Sequence, residues 1–302
     1  MSDTCRVAAS PAESGIAQRL RAAYLSWRES CVRRVPNARK TLSRPRAHLV
    51  RTLAVIPARL GATRLPRKPL RLLAGVPVVV RVLERVTALR IADRVVVATD
   101  SDEIALRIRA AGGEALLTRA DHPSGTDRVA EVVARGEFRD FDAVVNVQGD
   151  EPFVSSAAVR GALRQVAEGG FPLGTAAARA SRDVLASPDA VKVVAADDGA
   201  AMYFSRAAIP FLRDTTDGAD LDGRVLLHVG VYAYTPEALA RWVALPPHPL
   251  ERIERLEQLR PLAAGVRMGV AVVSGPLRGG IDTEADLERA NTEWMTFTPS
   301  ES

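Results

Sequence analysis

Leu53-Ala-Val-Ile-Pro-Ala-Arg-Leu-Gly-Ala-Thr-Arg-Leu-Pro-Arg-Lys-Pro-Leu-Arg71 opens as a strand and continues as a cationic loop. Leu53–Ile56 is a short apolar run stopped by Pro57, the pattern of a strand buried on both faces. Arg59, Arg64, Arg67, Lys68 and Arg71 then place five cations within thirteen positions, with no acid among them. Pro57, Pro66 and Pro69 restrict the backbone that carries them. A loop at the carboxyl end of a parallel strand lies where open α/β sheets bind ligands. Guanidinium and ammonium groups at that position suit a polyphosphate. The plain alternative is a solvated charged loop, but the stretch holds no acidic partner. The chain also has only three lysines, Lys40, Lys68 and Lys192, beside 38 arginines. A lysine in so arginine-rich a chain suggests a place for a compact ammonium.

Outward from this stretch, strand and helix patterns alternate. Val78–Leu89 has helical apolar spacing at Val79, Val82, Leu83 and Val86. Val95–Ala98 predicts a strand, and Ser101 an N-cap for a helix through Ala111. Ala115–Leu117 and Asp142–Val147 predict further strands. In the second half, Val191–Ala196, Met202–Ser205, Leu226–Tyr234 and Val266–Val273 read as strands. Pro236–Val243, Leu250–Arg260 and Thr283–Trp294 read as helices. The alternation predicts an α/β fold, a mostly parallel sheet with helices on both faces.

The chain has 302 residues, 41 Lys+Arg and 36 Asp+Glu, so its formal charge is +5. That excess is local. Residues 1–51 hold 11 basic and 3 acidic groups, and the remainder holds 30 and 33. Both cysteines, Cys5 and Cys31, also lie in the first segment. Two cysteines make no disulfide framework, so a cytoplasmic setting is expected. No apolar run approaches the roughly 20 residues of a membrane helix, so no membrane span is expected. Within the basic segment, Ile16, Leu20, Tyr24, Trp27 and Cys31 form one helical stripe among arginines. That pattern fits a transit peptide or a membrane-surface helix. The plainer reading is a poorly ordered extension, which divides the chain into 1–51 and a main domain, 52–302.

Several short motifs carry a resemblance. They are Pro57–Leu70, Val97-Ala-Thr-Asp100, Thr118-Arg-Ala-Asp-His122, Ser124-Gly-Thr-Asp-Arg128 and Val145-Asn-Val-Gln-Gly-Asp-Glu-Pro152. Ala190–Val194, Tyr203–Ala207, His228–Tyr232, Leu256–Arg260 and Gly280–Thr283 follow in order. Over residues 52–290 the chain resembles the CMP-Kdo synthetases, the 3-deoxy-manno-octulosonate cytidylyltransferases. The resemblance implies a Rossmann-like nucleotide-diphospho-sugar transferase fold. It also implies Mg²⁺ as cofactor, CTP and a 3-deoxy sugar acid as substrates, a homodimer, a place in lipopolysaccharide biosynthesis and no nucleic-acid partner.

It implies a site as well. Arg59, Lys68, Asp150 and Asp282 would be catalytic, with Asp150 and Asp282 holding the metal. Pro57, Ala58, Arg59, Arg64, Lys68, Arg119, Ser124 and Gly125 would bind the nucleotide. Gln148, Arg206, His228, Tyr232, Glu257 and Gln258 would bind the sugar acid, with Arg206 on its carboxylate and Lys192 completing a charge network. The residues alone allow plainer readings. Asp150 is also a turn residue, Asp282 also a helix N-cap, and His228 also a structural strand histidine. Glu257 has separate support, because on a continuous helix over Leu250–Arg260 it falls on the packed face. On that helix Glu251 and Arg255 form an ordinary i,i+4 pair.

Two positions depart from the family pattern Ser-Thr-Arg-Leu-Pro-Gly-Lys: Ala62 lacks its hydroxyl, and Arg67 replaces its glycine. Arg67 either strains the backbone or adds a phosphate contact. A cytidylyltransferase for a sialic acid-like or amino-Kdo substrate, a catalytically silent nucleotide binder, and a nucleic-acid binder resting on the basic segment are the rival readings.

Overall fold

In a computed structural model of the chain, residues 50–61, 64–213, 223–275 and 278–297 are described. The helical stripe of residues 16–31, Lys40 and Ala62 lie outside them. The described residues fall in one compact unit.

Strand β1 (Thr52–Ala58) is buried at every position. Side chains alternate across a strand, so it must be apolar on both faces to be covered on both. Leu53 and Val55 enter one core with Val129, Phe204 and Trp242. Ala54 and Ile56 enter a second core with Val82, Ile104 and Val159. The sheet thus has helices on both faces.

After a small hairpin, β2 (Leu72–Leu73) and β3 (Val76–Pro77), the chain forms α1 (Val78–Ala88), β4 (Arg94–Thr99), α2 (Asp102–Ala110) and β5 (Glu114–Leu117). Next come α3 (Gly125–Val133), β6 (Ala143–Asn146), α4 (Ser156–Ala167), β7 (Leu173–Arg179), β8 (Lys192–Ala195) and β9 (Ala201–Ser205). Then follow β10 (Leu226–Tyr234), α5 (Pro236–Ala244), α6 (Pro249–Glu254), α7 (Leu259–Ala263), β11 (Met268–Val273) and α8 (Glu284–Trp294). The strand order is β11-β7-β10-β6-β1-β4-β5, with β8 on β10 and β9 on β8. Along that path β10 runs antiparallel to both neighbours, and every other pairing is parallel. From β1 the chain builds outward through β4 and β5, then returns with β6 on the other side of β1. The carboxyl ends of β1 and β6 therefore flank a topological switch point, where such sheets bind ligands.

Ser101 caps α2 by accepting from the Ile104 amide, as expected. The expected helix over Leu250–Arg260 is instead two short helices. Arg255 adopts a left-handed conformation, φ 55°, and turns the chain between them. The i,i+4 pairing of Glu251 with Arg255 is lost with that turn. Glu251 pairs with Arg260, whose Nε lies 2.8 Å from Oε2. Sequence periodicity did not reveal α3, α4 or β7. The last two are rich in Ala and Gly because they pack closely. A Cβ on Gly174 of β7 would lie 2.2 Å from the Ala162 carbonyl oxygen of α4.

Candidate active site

The cationic loop leaves β1 at Ala58. Buried Leu65 and Pro69 anchor it, and the Lys68 amide donates to the Leu65 carbonyl at 3.1 Å. Arg67 sits at φ 57°, left-handed backbone that favours glycine. A non-glycine there costs roughly 1–2 kcal/mol. Its guanidinium reaches Glu103 of α2 at 2.6 Å, so it adds no contact to the cavity described next. Arg71 pairs with Glu284 of α8. Arg67 and Arg71 are thus paired with acids outside the cavity, and Arg59, Arg64 and Lys68 are left to face inward.

Those three line a cavity of about 380 Å³ at the switch point. Pro57, Ala58, Arg59, Arg64, Lys68, Ser124, Gly125, Gln148, Asp150 and Asp282 all border it. A wider groove of about 1010 Å³ elsewhere holds none of the candidate residues. Lys68 Nζ pairs closely with Asp150 Oδ2 and lies 2.9 Å from Asp282 Oδ1. Arg64 reaches the other Asp282 oxygen at 3.0 Å. Burial lowers the Lys68 pKa, but the two carboxylates outweigh it and the net shift is upward. Asp150 follows β6, and Asp282 precedes α8, so one carboxylate comes from each half of the chain. Asp282 is not the helix cap. Thr283 caps α8 in a capping box with Asp286, leaving the Asp282 carboxylate to the cavity. Next to Asp150, burial and the charges of Asp150 and Asp282 push the Glu151 carboxyl up to about 8.

The floor requires a small residue. A Cβ on Gly149 would stand 2.7 Å from the Pro57 carbonyl oxygen, so β1 and β6 end in close approach there. On one side Ser124 caps α3, accepting from the Asp127 amide. Behind it Arg128 is fully buried and donates to Asp100 at 3.1 Å and to the Arg119 carbonyl at 3.2 Å. Arg119 itself points outward to Asp121 at 2.8 Å and does not border the cavity.

The residues expected on the sugar side form two groups. Gln148 Nε2 donates to Asn146 Oδ1 at 3.3 Å, and Asn146 donates to the Tyr234 hydroxyl at 3.1 Å. Thr126 in the first turn of α3 donates to Glu257 at 2.7 Å. Burial raises the Glu257 carboxyl, and hydrogen bonds from Thr126 and Ser124 offset part of the rise. Gln258, beside it, is buried. The rings of His228 and Tyr232 lie 5.5 Å apart, and burial pushes His228 down to about 4. Arg206 stands apart. Its guanidinium donates to the carbonyls of Glu254 at 2.8 Å and Pro188 at 3.0 Å. Lys192 is fully buried and donates to the carbonyls of Ser187, Ala190 and Arg206. The expected charge network is therefore largely a cage of backbone carbonyls.

Residues 53–268 match the family model described as cytidylyltransferase. The chain is 63% identical over 242 residues to the 3-deoxy-manno-octulosonate cytidylyltransferase of Gemmatimonas aurantiaca, covering 80% of this chain and 93% of that protein. It is 46% identical over 240 residues to the enzyme of the same name from Yersinia pseudotuberculosis, covering 78% and 96%. The chain belongs to the 3-deoxy-manno-octulosonate cytidylyltransferase family.

A solved CMP:2-keto-3-deoxy-manno-octonic acid synthetase, complexed with CTP, superposes on this cytidylyltransferase with a TM-score of 0.74 at 37% identity, covering 82% of this chain and 99% of that one. A 4-diphosphocytidyl-2C-methyl-D-erythritol synthase from Anaerococcus prevotii shares the fold, with a TM-score of 0.54 at 16% identity. Sequence reasoning did not single out several residues of the site: Arg128, Thr126, Gly149 and Glu151. All four lie inside motifs that carry the resemblance. Their roles depend on what lies behind them in space, which spacing does not reveal. Among the described residues no helix is long and apolar enough to cross a membrane.

Proposed function

We propose that this cytidylyltransferase joins CTP to Kdo, giving CMP-Kdo and pyrophosphate, a step supplying lipopolysaccharide assembly. The observation that carries the proposal is the convergence of Asp150 and Asp282 on Lys68 at the switch point, with Arg59 and Arg64 on the same cavity. In this reading the anomeric hydroxyl of the sugar acid attacks the α-phosphorus of CTP. A sugar oxygen–phosphorus bond forms, the bond to the β-phosphate oxygen breaks, and pyrophosphate leaves. Such a transfer depends on alignment and charge stabilisation more than on a covalent nucleophile.

Arg59, Arg64 and Lys68 would hold the triphosphate, and Arg59 has no partner among the described residues to compete for it. Ser124, Gly125 and the Pro57–Ala58 backbone would border the cytidine. Two carboxylates already gathered around one cation suit Mg²⁺, which takes one or two carboxylates with phosphate oxygens and water. Asp150 and Asp282 would hold it. When bound, the ion would offset charge on the phosphates. Gln148, His228, Tyr232, Glu257 and Gln258 would hold the sugar hydroxyls. Half-buried Glu257 would accept from one of them while Thr126 keeps it in place. Arg206 would meet the sugar carboxylate with the guanidinium donors that its two carbonyl partners leave free.

The reaction belongs to residues 52–302 in this reading, in the cytoplasm and as a homodimer. Met202, Phe211 and Ile253 supply exposed apolar side chains for a second copy. Light scattering tests the dimer, and deletion of residues 1–51 tests whether the extension contributes to turnover or binds duplex DNA. The function itself is tested by pyrophosphate release from CTP and Mg²⁺ with a panel of sugar acids. Kdo should be preferred. Preference for a sialic acid or an amino-Kdo would redirect the assignment, and CTP binding without turnover would overturn it.

A further inference from the structure

Thr175 lies in β7, opposite the irregular part of β10. Pairing of the two strands runs in step from Leu226 to Val229 and resumes at Tyr232, leaving Gly230 and Val231 as extra residues on β10. A bulge of this kind re-aims the side chains beside it. Here it separates His228 from Tyr232.

The Thr175 side chain is fully buried against that bulge. Its Oγ1 lies 2.8 Å from the Val231 carbonyl oxygen, 3.4 Å from that of Val229 and 2.9 Å from His228 Nε2. A hydroxyl has one proton to give, and carbonyl oxygens only accept. The proton therefore goes to Val231, the nearer carbonyl. Oγ1 is left to accept from the imidazole, so Nε2 must carry the hydrogen. A neutral imidazole carries only one, so Nδ1 is a bare acceptor. Nδ1 has no hydrogen-bond partner among the described residues. Yet the fully buried side-chain polar atom without a partner among them is Trp242 Nε1 alone. Nδ1 therefore keeps some exposure, on a side chain that is half-buried rather than sealed into the core.

We propose that Thr175 is a positioning residue that fixes His228 as its Nε2–H tautomer and presents Nδ1 as a hydrogen-bond acceptor for a hydroxyl of the sugar acid. The tautomer follows from the geometry. The sugar hydroxyl rests on the reading given under Proposed function. In this assignment His228 acts as a neutral acceptor and supplies no positive charge to the sugar carboxylate.

Full-length protein labelled with ¹⁵N-histidine tests the first part, with the His228 signals assigned by their loss in His228→Gln. At neutral pH Nε2 should resonate as a protonated nitrogen and Nδ1 as an unprotonated one. Thr175→Ser should keep that pattern, and Thr175→Val should mix or invert it. A wild-type spectrum with the hydrogen on Nδ1 overturns the proposal even if no variant folds. Kinetics test the second part. Losing one hydrogen bond of ordinary strength should raise KM for the sugar acid about five- to tenfold in Thr175→Val. KM for CTP should stay unchanged, and Thr175→Ser should restore the wild-type value. Equal changes in both KM values would overturn the positioning role. Absence of turnover with any sugar acid in the wild-type protein would instead sink the functional reading and leave the tautomer result standing.

Discussion

Lys192→Met removes an ammonium that is fully buried and faces no carboxylate hydrogen-bond partner. Its three hydrogens go to the carbonyl oxygens of Ser187, at 2.9 Å, Ala190, at 2.6 Å, and Arg206. Burial lowers its pKa, and the nearby Arg206 charge adds to the effect, with Glu254 opposing. Methionine is close in length and removes the cost of burying a charge. It also leaves three carbonyls without their donor, each worth about 1–3 kcal/mol when desolvated. Water entering the vacated space would recover part of that loss. The net destabilisation should be about 2–5 kcal/mol, a large share of the 5–15 kcal/mol typical of folded domains. Lys192→Arg should not rescue it, because a planar guanidinium does not fit a cage of three converging carbonyls. Urea unfolding followed by circular dichroism measures the change. Because the cage also fixes the Arg206 backbone, KM for the sugar acid should rise more than KM for CTP. A Lys192→Met protein within 1 kcal/mol of wild type would refute the reasoning.

Arg67→Gly should be more stable than Arg67→Ala by about 1 kcal/mol, since both lose the pair with Glu103 and only glycine relieves the left-handed strain. Neither should change kcat, and equal melting temperatures would contradict the backbone reading. Gly149→Ala pushes a methyl against the Pro57 carbonyl where β1 and β6 end. It should raise KM for CTP at least tenfold, measured by initial rates, while the protein stays folded. Burial pushes the His228 pKa down to about 4 in the folded protein against 6.5 when unfolded, so the unfolded chain takes up the extra proton. That contribution to stability is present above pH 6.5 and is lost as pH falls toward 4, by up to ~3 kcal/mol. Acid unfolding curves of His228→Gln should be flatter across that window.

The two described lysines show how much of the site the sequence made legible. In a chain of 38 arginines, both Lys68 and Lys192 occupy compact cages, one of carboxylates and one of carbonyls. Composition pointed to a place for a small cation but not to what surrounds it. The parallel sheet was readable because β1, β4 and β6 are short apolar runs ended by polar turns. Strand β7 and helix α4 were not, because close packing favours Ala and Gly there and erases the apolar periodicity. Glu257 is only half-buried, and not on the helical face expected of it. The left-handed turn at Arg255 breaks the helix, and the carboxylate is held by Thr126, 131 residues away in the chain. Asp282 shows the reverse. Its sequence position fits a cap, and only the structure reveals that Thr283 takes that role. Arg119 and Arg206 mark the limit of motif transfer, since a motif locates a residue in the fold without aiming its side chain.

The most direct measurement is pyrophosphate release from CTP, Kdo and Mg²⁺ by the wild-type protein and by Asp150→Ala. Release by the wild type should need all three components. The variant should lose at least a hundredfold, with its fold intact by circular dichroism. Release undiminished in Asp150→Ala, or no release by the wild type with any 3-deoxy sugar acid, would refute the proposed function.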